Sequence, residues 1–165
     1  MISLIKNKYA KFSEANISSS KNNNKDNKDY MEQIIALESE VFGKNGAIDK
    51  WNLKPIVKYG RVYGLIDNKE LVACVELVRS WDTEIVYLYG LAVKPNNFGM
   101  GLGSKLLSEV LELISKENIS KIQLTVSSDN IKAIRLYEKF GFKKIDFLED
   151  EYGNGIHREF YEKKF

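Results

Sequence analysis

The junction "NFGMGLGS", residues 97–104, constrains the fold more than any other stretch of this chain. Its three glycines stand at alternate positions between an apolar run and an amphipathic helical repeat. A tight strand-to-helix turn needs only one glycine, so three leave an unusual length of backbone uncovered. Bare backbone admits close approach of a ligand, and the first N–H groups of a helix have no internal partners. The junction therefore predicts an anion site, with a phosphate group as the favoured ligand.

Two nucleotide-binding patterns do not fit the junction. The dinucleotide pattern G-x-G-x-x-G fails because Ser104 follows Gly99 and Gly101 where a third glycine is required, and the following strand "IQLTVS" ends without an acidic residue. The phosphate-binding P-loop requires Gly-Lys-Ser or Gly-Lys-Thr, whereas here Ser104 precedes Lys105. The interpretation that remains is a site for the pyrophosphate group of a different carrier molecule.

Composition narrows the class of protein. A chain of 165 residues with 44% hydrophobic and 29% charged residues predicts one globular domain spanning 1–165. The formal charge of +2 and the lack of a long apolar run favour neither nucleic acid nor membrane as a partner. Cys74 has no second cysteine to pair with, and its apolar surroundings predict a buried, inert thiol. A cytoplasmic location is expected.

The periodicity of the chain alternates between helical and extended patterns. Residues 18–29 are polar and of low complexity, which predicts a mobile loop. A short strand is expected before it and a helix ending at Gly43 after it, then a second helix interrupted near Pro55. The hairpin "RVYGLID-NK-ELVACVELVRS", the strand "TEIVYLYGLAVKP", a helix, the strand "KIQLTVS", another helix and two closing strands follow. This order predicts an α/β fold with a mixed, mostly antiparallel sheet flanked by helices.

A second group of residues lies downstream, in "DNIKAIRLYEKFGF". Asn130, Ala133 and Tyr137 are spaced i, i+3 and i+7, so they share one helix face. Asp129 or Asn130 is expected to cap this helix, and Gly141 to end it. Alone, Tyr137 would be read as core packing and Asn130 as a cap.

Together the two segments "LAVKPNNFGMGLGSKLLSEVL" and "SSDNIKAIRLYEKFGFKK" resemble the acetyl-CoA-binding half of the GNAT family of N-acetyltransferases. The resemblance covers residues 84–146. It implies a GNAT-like sheet with a splayed strand pair that binds acetyl-CoA, and no metal.

The resemblance also implies a role for each matching residue. The strand before the glycines offers its backbone to the pantetheine arm at Leu91, Ala92 and Val93. The glycine turn holds the pyrophosphate through backbone N–H groups, along the segment Phe98, Gly99, Met100, Gly101, Leu102, Gly103 and Ser104. On the later helix, Asn130 and Ala133 contact the carrier and Tyr137 lies beside the thioester sulfur.

One position departs from the family pattern. GNAT proteins carry Arg or Gln at the start of Arg/Gln-x-x-Gly-x-Gly, and here Phe98 stands there. A side-chain donor to the phosphates is therefore missing, and backbone N–H groups or nearby lysines such as Lys94 and Lys105 are expected to compensate.

The resemblance implies that an amine attacks the thioester directly, with Tyr137 as general acid to the departing thiolate. A backbone N–H of the splayed strand would meet the oxyanion. The general base stays open. Glu84 is expected at a solvated strand end, Tyr87 occupies the position where histone-type relatives carry a glutamate, and His157 is expected on an exposed edge strand.

The acceptor is expected to be a small amine or a protein amino group. Tyr87, Trp51 on the second helix and Tyr152 in the last hairpin are candidates to contact it. Acidic residues 149–151 either attract a cationic amine or form an ordinary solvated turn. The alternative to an enzyme is a non-catalytic acyl-CoA-binding module of the same fold. A monomer or a homodimer is compatible with the sequence.

Overall fold

A computed structural model of the chain describes residues 10–11, 24–43 and 46–165, with side chains from residue 30 onward. It contains seven strands and four helices within these ranges. In chain order they are β1 (Ala10–Lys11), α1 (Asn24–Phe42), α2 (Lys50–Tyr59), β2 (Arg61–Asp67), β3 (Glu70–Arg79), β4 (Ile85–Val93), α3 (Leu102–Ser115), β5 (Lys121–Val126), α4 (Ile131–Lys139), β6 (Lys143–Leu148) and β7 (Arg158–Lys164). A short 3₁₀ turn, Pro95–Asn97, joins β4 to the glycine segment.

The chain divides into two compact units, so the predicted single domain stays a prediction. The first unit comprises residues 1–78 and 90–107, and the second comprises 79–89 and 108–165. Strand β4 and helix α3 each contribute residues to both units.

In the first unit, β1, β2 and β3 form an antiparallel series. The β2–β3 hairpin turns at Asn68 and Lys69, which both adopt positive φ, as the tight two-residue hairpin turn requires. The core is built from apolar faces of α1, α2, β2, β3 and β4, with buried residues Ile34, Leu37, Ile48, Leu53, Ile56, Val57, Val62, Leu71, Cys74 and Ala92. The buried thiol predicted for Cys74 is confirmed.

In the second unit the strand order is β4-β5-β7-β6. Strand β5 is parallel to β4 and antiparallel to β7, and β7 is antiparallel to β6. The alternation in "KIQLTV" places Ile122, Leu124 and Val126 in the core, and Tyr161 of β7 is buried as well. One parallel pairing among antiparallel ones confirms the predicted mixed, mostly antiparallel sheet.

Two local predictions differ from the structure. The predicted loop 18–29 overlaps α1, which begins at Asn24; residues 18–23 lie outside the described residues. Once a helix is anchored by packed turns, each additional residue costs little, so polar residues extend it. Pro55 was expected to interrupt the second helix, yet α2 is continuous because its buried Leu53, Ile56 and Val57 hold the helix in the core.

Among the helices that the structure describes, none has both the length and the hydrophobicity needed to span a bilayer.

Candidate active site

The glycine turn lies in the first unit and has the backbone that the sequence predicted. Gly99 has φ +80° and Gly101 has φ +75°, conformations that side-chain-bearing residues rarely adopt. A Cβ built on either glycine would have no atom of the described residues within 4 Å, so that part of the chain leaves the space beside the turn open. Gly103 belongs to the first turn of α3. The glycines therefore permit the positive φ angles of the turn and keep side chains out of the space beside it.

The first backbone N–H groups of helix α3 have no acceptor within the helix. Its first helical hydrogen bond runs from the Lys105 N–H to the Gly101 carbonyl at 3.0 Å. The N–H groups of Leu102, Gly103 and Ser104 precede that bond and so have no helical acceptor. Three consecutive donors at the positive end of a helix form the kind of site that binds phosphate.

Two exposed apolar side chains flank this turn, and Lys105 follows it in the first turns of α3. Phe98 is 54% exposed and Met100 is half exposed, so both apolar side chains face solvent. Lys94, which was expected to help with the phosphates, forms an ion pair with Glu70. In strand β4, which precedes the turn, Ala92 packs into the core, whereas Leu91 and Val93 are only partly buried.

The second unit contains the helix that carries the remaining predicted cofactor residues. Asn130 caps α4, its Oδ1 accepting from the Ala133 N–H at 3.2 Å. Tyr137 is 6% exposed, and its ring lies 5.6 Å from that of Phe142 between centroids. The Phe140 and Phe142 N–H groups both donate to the Tyr137 carbonyl, which holds the end of the helix in place. The sequence predicted that either Asp129 or Asn130 caps this helix, and in the structure the cap is Asn130.

The parallel pairing of β4 with β5 is short. It spans three residue pairs and ends at Tyr87 opposite Gln123, although both strands continue beyond that point. Strands that part in this way leave backbone groups available for a ligand. The family resemblance implies that these two strands separate, and in the structure their pairing ends at Tyr87.

Three hydroxyl groups meet where the strands part. The Tyr87 hydroxyl lies 2.8 Å from Thr125 Oγ1 and 3.4 Å from the Tyr152 hydroxyl, and Thr125 Oγ1 lies 3.2 Å from the Tyr152 hydroxyl. The Arg158 guanidinium stacks 5.0 Å from the Tyr152 ring. The structure thus brings two predicted acceptor residues together. Sequence reasoning missed Thr125, although the strand alternation places it on the same face as Gln123.

Burial keeps the Tyr87 hydroxyl in its protonated form. Burial raises the pKa of Tyr87 to about 12, so its phenol stays protonated at neutral pH. Tyr87 is therefore suited to hold a water or an amine by hydrogen bonding, and unsuited to act as a base.

The other base and acceptor candidates lie apart from this cluster or at the surface. The His157 ring is exposed, and its Nδ1 accepts from the Asp150 N–H at 3.1 Å. Glu84 accepts from the Asn118 side chain. Trp51 belongs to the first unit and is 87% exposed. Asp150 Oδ1 also lies 3.5 Å from His157 Nδ1, and both side chains are exposed.

Sequence reasoning also missed a buried acidic pair in the first unit. Glu38 of α1 is 2% exposed and Glu76 of β3 is fully buried. One ligand atom from each of these residues and from Cys74 lies within 4.8 Å of the others. The signal was present, because Glu38 falls on the apolar face of α1 and Glu76 interrupts an apolar strand.

Comparison with known proteins identifies the class. The sequence profile of the acetyltransferase (GNAT) family matches residues 29–142, which is more than half of the chain. The chain therefore belongs to the GNAT family.

Curated relatives match over shorter stretches. Thialysine N-epsilon-acetyltransferase of Sus scrofa is 33% identical over 70 residues, 42% of this chain and 41% of that protein. Aminoglycoside N(6')-acetyltransferase type 1 of Klebsiella pneumoniae is 40% identical over 55 residues, 33% of this chain and 27% of that protein. The matched part thus spans well under half the length of these relatives.

Solved structures match over most of the chain. Naa50 of Arabidopsis thaliana, in complex with the bisubstrate analogue CoA-Ac-MVNAL, superposes with a TM-score of 0.72 and 26% identity, covering 83% of this chain and 93% of that one. The ribosomal-protein-S18-alanine N-acetyltransferase of Escherichia coli gives a TM-score of 0.72 at 18% identity, covering 81% and 86%. These likenesses confirm the predicted fold.

Proposed function

We propose that this chain transfers the acetyl group of acetyl-CoA to a primary amine. The observation that carries the proposal is the glycine turn, with its positive-φ glycines and three N–H groups at the start of α3 that have no helical acceptor, in a chain of the GNAT family. A pyrophosphate is the anion that such a backbone suits.

The cofactor is assigned to the residues that match the family's motifs. In this proposal the pyrophosphate binds along Phe98–Ser104, and the pantetheine arm pairs with the backbone of Leu91, Ala92 and Val93. Asn130 and Ala133 contact the carrier from the first turn of α4. The short parallel pairing of β4 and β5 supports the assignment, because the register between these two strands ends at Tyr87 while β4 continues to Val93.

Tyr137 is assigned as general acid. The neutral amine nitrogen attacks the thioester carbonyl, the C–N bond forms, and the C–S bond breaks with its electron pair going to sulfur. The thiolate takes the Tyr137 proton, and the proton that nitrogen loses restores the phenol through water. A thiol has a pKa near 8.5 and a phenol one near 10, so proton transfer from Tyr137 to the thiolate costs little. The buried position of the Tyr137 ring supports the assignment, since it keeps the phenol in one orientation.

We assign the binding site of the amine acceptor to the hydroxyl cluster. The hydroxyls of Tyr87, Thr125 and Tyr152 offer hydrogen-bond donors and acceptors within 3.4 Å of one another. Relatives named for thialysine and aminoglycoside acetylation, and a structural neighbour holding a peptide-based bisubstrate analogue, all have amine acceptors. Trp51 is a further candidate to contact the acceptor.

A thiol-release assay with acetyl-CoA and a panel of amines tests the proposal. The panel should include a polyamine, lysine, an aminoglycoside and short peptides with free amino termini. The expected result is amine-dependent release of CoA that falls in Tyr137→Phe while acetyl-CoA still binds. No release with any amine, despite tight acetyl-CoA binding, would show that the proposal is wrong.

One observation favours a second candidate, a non-catalytic acyl-CoA-binding module. The exposed Phe98 replaces the side-chain donor that the family pattern carries at that position. The same assay separates the two, because a binding module retains acetyl-CoA without amine-dependent turnover.

A further inference from the structure

A positively charged side chain stands beside the hydroxyl cluster. Arg158 begins β7, and its guanidinium carbon lies 5.0 Å from the centre of the Tyr152 ring. Phe160 is the register partner of Thr125, so Arg158, two residues earlier on the same strand, is on the same face of the sheet as Thr125. All of these residues belong to the second unit. The cluster therefore combines three hydroxyl groups with one positive charge.

Two contacts hold the guanidinium in place. Its Nη1 donates to the His157 carbonyl at 2.8 Å, and its face stacks on the Tyr152 ring. Because these contacts already restrict the arginine side chain, binding a ligand through it costs little additional entropy. A guanidinium carries five N–H donors in one plane, and the bond to His157 uses one of them. A carboxylate, whose two oxygens also lie in one plane, is the group that such a fork of donors fits best.

The cluster is open to solvent at Tyr152. The Tyr152 side chain is 55% exposed, and Tyr87, Thr125 and Arg158 are each partly exposed. Each hydroxyl can rotate its O–H bond toward a ligand and donate a hydrogen bond to it. A ligand group can therefore reach these donors from the solvent.

The charge beside the cluster favours an anionic ligand group. An ammonium group bound there would lie next to the positive charge of Arg158, whereas a carboxylate would be attracted to it. The carboxylate of Asp150, in the same β6–β7 loop, binds within the loop itself. Its Oδ1 accepts from the Gly155 N–H at 2.7 Å and lies 3.5 Å from His157 Nδ1. Of the two interpretations that the sequence left open for residues 149–151, these contacts favour a turn.

We propose that Arg158 and the hydroxyl cluster bind a carboxylate group of the acceptor, so that the acceptor is an amine that also carries a carboxylate, as an amino acid does. This inference rests on the proposed function and names the chemical class of its acceptor. The guanidinium pairs with the carboxylate, and the Tyr152 hydroxyl donates a hydrogen bond to it. The amino group that reacts is a different part of the acceptor molecule.

Amino acids and their decarboxylated counterparts test the inference in the full chain. The pairs are lysine with cadaverine and alanine with ethylamine, whose members differ only in the carboxylate, and the comparison uses the pair that the wild type turns over faster. At saturating acetyl-CoA, wild-type kcat/KM should be about tenfold or more higher for the amino acid, the effect typical of a charged hydrogen-bonded pair. The amide of the same amino acid, which keeps the carbonyl and lacks the charge, should lose most of this advantage.

Substitutions of Arg158 assign the preference to its guanidinium. Arg158→Gln should raise KM for the amino acid about tenfold with little change in kcat, because the carboxylate is bound alike in the ground state and the transition state. The same change should raise kcat/KM for the decarboxylated amine, since it removes a positive charge that repels an ammonium group. Arg158→Lys keeps the charge without the planar fork and should restore part of the preference.

Two further variants serve as matched comparisons. Arg79→Gln removes another arginine of the second unit, one that donates to the Asn118 carbonyl, and should leave the preference unchanged. Tyr152→Phe keeps the ring on which the guanidinium stacks and removes one hydroxyl, so it should raise KM for the amino acid only about threefold. Acetyl-CoA affinity and cooperative unfolding, measured for each variant, show whether the fold is retained.

The possible outcomes separate this inference from the proposed function. A wild-type chain that turns over no amine contradicts the proposed function and this inference with it. An active wild type that does not favour the amino acid over its decarboxylated counterpart overturns this inference alone, and so does a preference that survives in Arg158→Gln. Equal use of the amino acid and its amide overturns the carboxylate in favour of an uncharged carbonyl, such as a peptide acceptor supplies.

Discussion

The burial of Glu38 should make the stability of this protein depend on pH in a way that one substitution removes. Glu38→Gln replaces the carboxyl by a neutral group of nearly the same shape. The amide resembles the protonated carboxyl, so the two chains should be almost equally stable at acid pH. The difference between their free energies of unfolding should grow as the wild-type carboxyl ionises.

The sign follows from the raised pKa. The Glu38 carboxyl has an ordinary pKa of 4.5 in the unfolded chain and one of about 7 in the folded chain. Between these values the folded chain binds more protons, so wild-type stability falls as the pH rises. At about 1.4 kcal/mol per pH unit, the full loss is about 3 kcal/mol, reached above pH 7. With Glu38 only 2% exposed, water screens little of this penalty.

Urea unfolding of both chains at pH 5 and pH 8 measures the effect. We expect Glu38→Gln to be more stable than the wild type by about 3 kcal/mol at pH 8, and by much less at pH 5. The comparison is made as a difference because Glu112, Glu159 and Glu162 have lowered pKa values, which act in the opposite direction in both chains. Glu40→Gln is the matched control, since its carboxylate is exposed. A difference between Glu38→Gln and wild type that stays constant with pH would refute the reasoning.

Three further predictions concern the cofactor half of the site. Tyr137→Phe should lower kcat by about 100-fold or more with acetyl-CoA affinity unchanged, as steady-state kinetics and calorimetry would show; an unchanged kcat contradicts the general-acid role. Gly101→Ala should cost about 1–2 kcal/mol of stability because of its positive φ and should weaken acetyl-CoA binding about tenfold. Gly155→Ala, at φ +77° with open space beside it, should cost similar stability and leave affinity intact; equal affinity in the two variants refutes the phosphate role. Phe98→Arg should tighten acetyl-CoA binding about fivefold by adding a charged donor worth roughly 1 kcal/mol at an exposed site, an effect that high salt should reduce. No gain in affinity at low salt would place the phosphates elsewhere.

Local sequence patterns were sufficient to predict most of the helices and strands. The positive φ of Gly99 and Gly101, the Asn130 cap and the two-residue hairpin turn are demands that a few neighbouring residues impose on their own backbone. Alternation and helical periodicity located the strands and the amphipathic helices, because each element must bury one face. The start of α1 was misjudged because a polar segment carries no periodicity, and the continuity of α2 because packing overrode the proline.

The chemistry of the acceptor side was decided by tertiary structure. Thr125 and Tyr152 meet at Tyr87 through a strand register and a loop that bring distant segments together. Glu38 and Glu76 come from a helix and a strand and lie 38 residues apart in the sequence, and neither segment by itself shows that the two carboxyl groups meet. Their shared burial against Gly90 is a property of the folded chain, and it raises the pKa values at which both carboxyl groups ionise. By itself, the sequence determined where the backbone must turn, cap and present bare N–H groups, since these are local requirements. The tertiary structure decided which carboxylates lose their water, because desolvation depends on what the rest of the chain places around them.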